Sequence, residues 1–132
     1  MKLPVTLTGT VLPGNHIGRQ FDMPTANIIP EEEYSRLRHG VYYSVIQTED
    51  ESYPGITNLG THPTVTDDGK VYAETYIYDF KGDLYGKVIS VTLLEFRRAE
   101  KKFDSLDELY ETVRRDFTAG RIYHNLSDRS AV

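Results

Sequence analysis

A chain of 132 residues with a net charge of −5 and no cysteine is sized for one domain around a single core. It has no material for disulfides, thiolate metal sites or a cysteine nucleophile. The acidic total argues against a domain that grips nucleic-acid backbones, which needs a basic face, and no run approaches the roughly 18 apolar residues of a membrane helix, so a soluble, cytoplasmic protein with neither nucleic-acid nor membrane partners is expected.

The opening Met1-Lys2-Leu3-Pro4-Val5-Thr6 lacks the apolar run of a signal peptide. Short β-type runs then follow one another: Val5 to Leu12, Gly40 to Gln47, Tyr53 to Leu59, Val71 to Tyr78 and Leu84 to Leu94. Separated by turn residues, they read as an antiparallel sheet, sandwich or small barrel. Between the first two lies Gly14-Asn15-His16-Ile17-Gly18-Arg19-Gln20-Phe21-Asp22-Met23-Pro24-Thr25-Ala26-Asn27, the most informative stretch of the chain. Its glycines let backbone N–H groups approach phosphate oxygens, and Arg19 adds fixed positive charge. Pro24 biases Met23 towards an extended backbone, so Thr25 and Asn27 project to one side of the strand that follows. Two neutral oxygens suit a magnesium ion that takes its other ligands from water and nucleotide phosphates. Residues Glu31 to His39 read as a short helical turn.

Strict alternation in Val71 to Tyr78 puts Val71, Ala73, Thr75 and Ile77 on one face and Tyr72, Glu74, Tyr76 and Tyr78 on the other. A carboxylate among tyrosines has a raised pKa if desolvated and suits a general base for an alcohol; the plainer alternative is a solvent-facing Glu on an edge strand. Asn58 and Gly60 either shape a loop over substrates or simply form a turn. Gly82-Asp83-Leu84-Tyr85-Gly86-Lys87-Val88 echoes a Walker loop but has the wrong glycine spacing and no Ser or Thr after the lysine, so a hairpin turn is expected. The histidines show no metal-ligand spacing. Basic residues gather at Arg19 and across Arg97, Arg98, Lys101 and Lys102, enough for one anionic ligand despite the negative total. Leu106, Leu109, Tyr110, Val113 and Phe117 fall on one helical face, with Ser105 and Glu108 as a capping box. That helix is expected to pack on the barrel, and the polar residues after Gly120 to form a poorly ordered tail, so that 1–132 is one domain with core 1–120 and tail 121–132.

The run Gly9 to Asn27, ending in Pro24-Thr25-Ala26-Asn27, resembles the signature of the riboflavin kinase (flavokinase) family. Further matches follow in family order: Gly40-Val41-Tyr42, Asn58-Leu59-Gly60-Thr61-His62-Pro63-Thr64-Val65, Glu74-Thr75-Tyr76-Ile77, Phe80 to Lys87, and Arg98 to Leu106. The resemblance implies a six-stranded antiparallel Greek-key barrel with a carboxy-terminal helix, and ATP-dependent phosphorylation of riboflavin to FMN and ADP with Mg2+. It implies Glu74 as the catalytic base, and Thr25 and Asn27 as metal ligands. Gly14, Gly18, Arg19, Thr25, Ile77, Asp79 and Tyr85 would then contact the nucleotide, and Arg98, Lys101 and Phe103 the flavin. Asp22, Met23 and Arg97 depart from the family's usual residues. A catalytically weak flavin-binding or regulatory module on the same fold is the alternative. In bifunctional relatives an adenylyltransferase module precedes this one, so such a module is a possible partner ahead of Met1.

Overall fold

The computed structural model describes residues 2–13, 23–61 and 69–127. The chain divides into two compact units, Met1–Glu100 and Lys101–Val132. The first holds six strands, β1 (Val5–Thr10), β2 (Thr25–Ile28), β3 (Gly40–Gln47), β4 (Ser52–Gly60), β5 (Tyr72–Ile77) and β6 (Val88–Ala99), and the second holds α1 (Leu106–Tyr123). The architecture is mainly β, as expected, with every strand pair antiparallel in the order β1-β6-β3-β4-β5-β2. The sheet curls into a half-barrel. Beyond the end of β1, the Leu12 N–H donates to the Asn27 carbonyl of β2, the opposite edge strand, at 2.8 Å.

Alternation explains the first unit's core. Leu7 from β1, Ala26 and Ile28 from β2, Tyr42 and Ile46 from β3, Leu59 from β4, Ala73 and Ile77 from β5, and Val91 and Leu93 from β6 form one apolar cluster. Three fully buried hydroxyls interrupt it: Thr57 donates to Ser44 at 2.8 Å and accepts from Thr75 at 2.8 Å. Register shifts between Val41 and Tyr42 and between Tyr43 and Ser44 mark bulges in the β3–β6 pairing, and such bulges bend a strand and increase its twist. With that bend, β6 pairs with both β1 and β3. Gly40 opens β3 at φ +151°, where an added Cβ would stand 2.2 Å from the Arg98 carbonyl oxygen. Only glycine allows that approach.

Some boundaries differ from the sequence reading. β2 is a separate strand of four residues, too short to show a period by itself. The segment Leu84 to Lys87 is a turn, closed by the Lys87 N–H on the Leu84 carbonyl at 3.0 Å, rather than the start of β6. It is not a hairpin, because β5 and β6 are not neighbours in the sheet. A single 3-10 turn, Glu32–Arg36, fills the predicted helical stretch.

In the second unit half of the predicted capping box is present: Ser105 Oγ accepts the Glu108 N–H at 3.1 Å, whereas Glu108 Oε2 accepts from the Asp104 N–H at 3.3 Å, one residue ahead of the N-cap. The buried face is Val113, Asp116, Phe117 and Gly120, whereas Leu106 is 66% exposed. The helix runs past Gly120 to Tyr123, and Asn125 at φ +55° closes it as Leu126 N–H reaches the Arg121 carbonyl. No helix among the described residues is long and apolar enough to cross a membrane.

Candidate active site

Antiparallel pairing puts residues directly across from one another on the same face of the sheet. Opposite the core face, one such row crosses five strands: Asn27 of β2 faces Glu74 of β5, Glu74 faces Asn58 of β4, Asn58 faces Val41 of β3, and Val41 faces Arg98 of β6. The neighbouring row is Thr25, Tyr76, Ile56 and Tyr43. This second face is itself largely covered: Asn27, Val41, Ile56, Tyr72, Glu74 and Tyr76 are all buried, yet none belongs to the core cluster. Thus β5 is buried on both faces and is paired on both sides, with β2 outside it. The alternative of a solvent-facing Glu74 on an edge strand is excluded.

Glu74 is 8% exposed. Burial pushes its carboxyl up to about 7, partly offset by the Tyr76 hydroxyl, which donates to Glu74 Oε1 at 3.2 Å. A carboxyl poised near neutrality can take a proton from an alcohol and release it again. Across the β2–β5 ladder, Asn27 is 4% exposed and its Oδ1 has no hydrogen-bond partner. A buried acceptor without a donor is costly unless a cation or ligand satisfies it. A hard divalent cation fits that oxygen, and Thr25, two residues earlier on the same face, presents a second. No cluster of three or more His, Asp or Glu suited to a metal occurs among the described residues, so neutral oxygens are the candidate ligands.

Pro24 and Leu12 fix this corner. The Ile77 N–H donates to the Pro24 carbonyl at 2.9 Å and the Leu12 N–H to Asn27, so both ends of the glycine-rich stretch are tied beside the row. Gly14, Gly18 and Arg19, with Asp22, lie outside the described residues. Of the other expected nucleotide contacts, the Ile77 side chain is in the core and leaves only its backbone for a ligand. Asp79 sits in a turn at φ +55°, and Tyr85 is 59% exposed, its N–H held by Asp83 Oδ1 at 2.8 Å. Arg98 closes the far end of the row, while Lys101 and Phe103 belong to the second unit, where Lys101 Nζ lies 5.5 Å from the Phe103 ring centroid and 3.1 Å from Glu108. The unusual Arg97 is half-buried and donates to the Tyr43 hydroxyl at 3.3 Å. Asn58 lies within β4, in agreement with the β-type run Tyr53 to Leu59 and not with the loop or turn also expected at Asn58 and Gly60. The signal was present, since Asn58 is the polar residue between Thr57 and Leu59, both pointing into the core.

A family model described as "Flavokinase: Riboflavin kinase" matches residues 1–124. The bifunctional riboflavin kinase/FMN adenylyltransferase of Pseudomonas fluorescens is 36% identical over 118 residues, 89% of this chain and 38% of that one. The RNA-binding riboflavin kinase RibR of Bacillus subtilis is 33% identical over 112 residues, 85% of this chain and 48% of that one. The chain therefore spans less than half the length of these two relatives. Among solved structures, riboflavin kinase from Trypanosoma brucei superposes with a TM-score of 0.64 at 25% identity, covering 89% of this chain and 75% of that one.

Proposed function

The chain belongs to the riboflavin kinase family, and from that premise we propose that it transfers the γ-phosphoryl group of ATP to the 5′-hydroxyl of riboflavin, giving FMN and ADP. The observation that carries this reading is the order of the cross-strand row: a cation-seeking oxygen at Asn27, a poised carboxyl at Glu74, an amide at Asn58, an apolar residue at Val41 and a guanidinium at Arg98. Phosphates, reacting hydroxyl, side chain and ring of the substrate pair would lie along it in that sequence. One family match extending across both compact units supports treating residues 1–132 as a single kinase domain.

Glu74 accepts the hydroxyl proton as that oxygen attacks the γ-phosphorus and the bond to the β-phosphate oxygen breaks, so the proton leaves on the enzyme and the charge on ADP. Positioning and charge neutralisation supply most of the acceleration in phosphoryl transfer, and no covalent enzyme intermediate is needed. Mg2+, held by Thr25 and Asn27, would neutralise phosphate charge when bound. Gly14, Gly18 and Arg19 would cradle the phosphates, Ile77, Asp79 and Tyr85 would contact the remainder of the nucleotide, and Arg98, Lys101 and Phe103 would hold the flavin. The Bacillus subtilis relative is named for RNA binding; for this acidic chain flavin and ATP are the proposed partners, in a cytoplasmic setting. An adenylyltransferase module like that of the bifunctional relatives is a proposed neighbour.

The test is direct: the purified chain is incubated with riboflavin, ATP and magnesium, and FMN is separated by chromatography. Stoichiometric FMN and ADP are expected. Flavin binding without any FMN would establish the weak binding module instead.

A further inference from the structure

Asn58 has a place in the row but no role of its own so far, and it stands directly across the ladder from Glu74 and shares its face. Residues paired in this way have Cβ atoms about 5 Å apart. Its neighbours Thr57 and Leu59 are completely buried in the opposite face, which aims the Asn58 amide to the Glu74 side, where it remains only half-buried. On the near side of Glu74 lies Asn27, whose Oδ1 has no hydrogen-bond partner, and on the far side Asn58 is the first polar group before apolar Val41. A substrate alcohol whose terminal hydroxyl meets Glu74 and whose bulk lies towards Arg98 must therefore pass its chain over Asn58.

We propose that Asn58 is a specificity-determining residue that hydrogen-bonds a hydroxyl in the middle of the substrate's polyol chain, selecting a polyhydroxylated flavin and setting its terminal hydroxyl at Glu74. This rests on the riboflavin kinase reading. A carboxamide both donates and accepts, as a secondary hydroxyl does, so one side chain can hold a polyol in a fixed rotation. Lying one strand, about 5 Å, from the base, it is within reach of a hydroxyl in the middle of the chain rather than the one that reacts. Gly60, two residues on and on the same face, carries no side chain; an added Cβ would stand 2.4 Å from Glu100 Oε1. That carboxylate, 3.6 Å from His39 Nδ1, bounds the row beyond Asn58 and leaves the amide as its polar contact along β4.

The experiment compares two flavins, riboflavin and an analogue whose ring nitrogen carries a plain five-carbon chain with only the terminal hydroxyl. Binding is read by quenching of flavin fluorescence, and turnover by product chromatography, for the wild type, Asn58→Ala and Asn58→Val. Melting by circular dichroism confirms folding, and the β-branched valine suits a half-buried strand should alanine destabilise it. Riboflavin is expected to bind both variants about 10-fold more weakly, on the scale of one lost hydrogen bond to a substrate hydroxyl, with the KM for ATP unchanged. The deoxygenated analogue should bind all three proteins equally within about twofold. Equal losses on both flavins would make Asn58 a support for Glu74 and overturn the proposal, as would no loss on either. Wild-type discrimination between the flavins that is lost in both variants, without FMN formation by the wild type, would uphold Asn58 and sink the kinase reading; absence of any flavin binding would sink both.

Discussion

Glu74, the proposed base, is held in its poised state at a cost in stability. Its folded pKa, about 7, lies above the ordinary 4.5, so the folded protein binds the proton more tightly than the unfolded chain. Stability from this group is complete below pH 4.5 and lost as pH rises through 7, where the buried carboxylate becomes charged. A shift of that size corresponds to about 3 kcal/mol. In buffer free of metal and nucleotide, Glu74→Gln should flatten the fall in melting temperature between pH 5 and 8 and melt higher than the wild type at pH 8. The same substitution should lower kcat by about 10²-fold or more with little change in either substrate's affinity, and the wild-type kcat/KM should rise with pH along a limb near neutrality. A turnover close to wild type in Glu74→Gln would remove this carboxyl from the mechanism. Asn27 poses the matching problem of an acceptor with no donor. Asn27→Ala and Thr25→Ala should each raise the magnesium concentration for half-maximal activity several-fold; if both titrations are unchanged, the metal sits elsewhere.

At the level of the strands, the two faces of the sheet answer to different constraints. Thr57 is a hub on the core face, donating to Ser44 and accepting from Thr75. Thr57→Val should strand two buried hydroxyls and cost about 1–3 kcal/mol in chemical denaturation. Since Thr57 faces away from the row, kcat should stay within about twofold; a large kinetic loss would mean that the faces are coupled. Gly40→Ala should do both kinds of damage. Its Cβ would collide with the Arg98 carbonyl at a backbone angle L-residues avoid, so a loss of several kcal/mol is expected, with weakened flavin binding as β6 shifts. These strands were legible to different degrees. β1, β3 and β4 announced themselves as β-type runs between turn residues, β5 by strict alternation as well, and α1 by its cap and apolar spacing. The four residues of β2 could not, and the turn at Tyr85 and Gly86 was absorbed into β6 because Leu84 and Val88 maintain an apolar rhythm across it. Helical spacing likewise marked Leu106 as apolar but not that the first turn is exposed, and it gave no hint that Asp116 lies on the buried face.

For the molecule as a whole, what could not be read was adjacency. Glu74, Asn27, Thr25 and Arg98 were each singled out from residue chemistry or family resemblance, but the order β1-β6-β3-β4-β5-β2 is what lines them up. That order is a property of long-range pairing, invisible to a period of two. Asn58 was singled out only as a loop or turn residue for the same reason: its meaning lies in the residue across from it.

The row runs perpendicular to the chain, and this ties the appearance of activity to the history of folding. Its members come from five strands; β3, β4 and β5 are neighbours in the chain, but the two ends of the row depend on the distant pairings of β2 with β5 and of β3 with β6. Sheets dominated by such distant pairings close slowly and late. No partly folded chain, however rich in secondary structure, can hold Asn27, Glu74 and Arg98 in line. During refolding from denaturant, the return of catalysis should therefore follow the slowest protection of β5 amides against hydrogen exchange with a single rate constant, and lag the early recovery of helical signal from α1. Ribosome-bound chains would stay inert until β6 has emerged, whatever the state of the strands made before it.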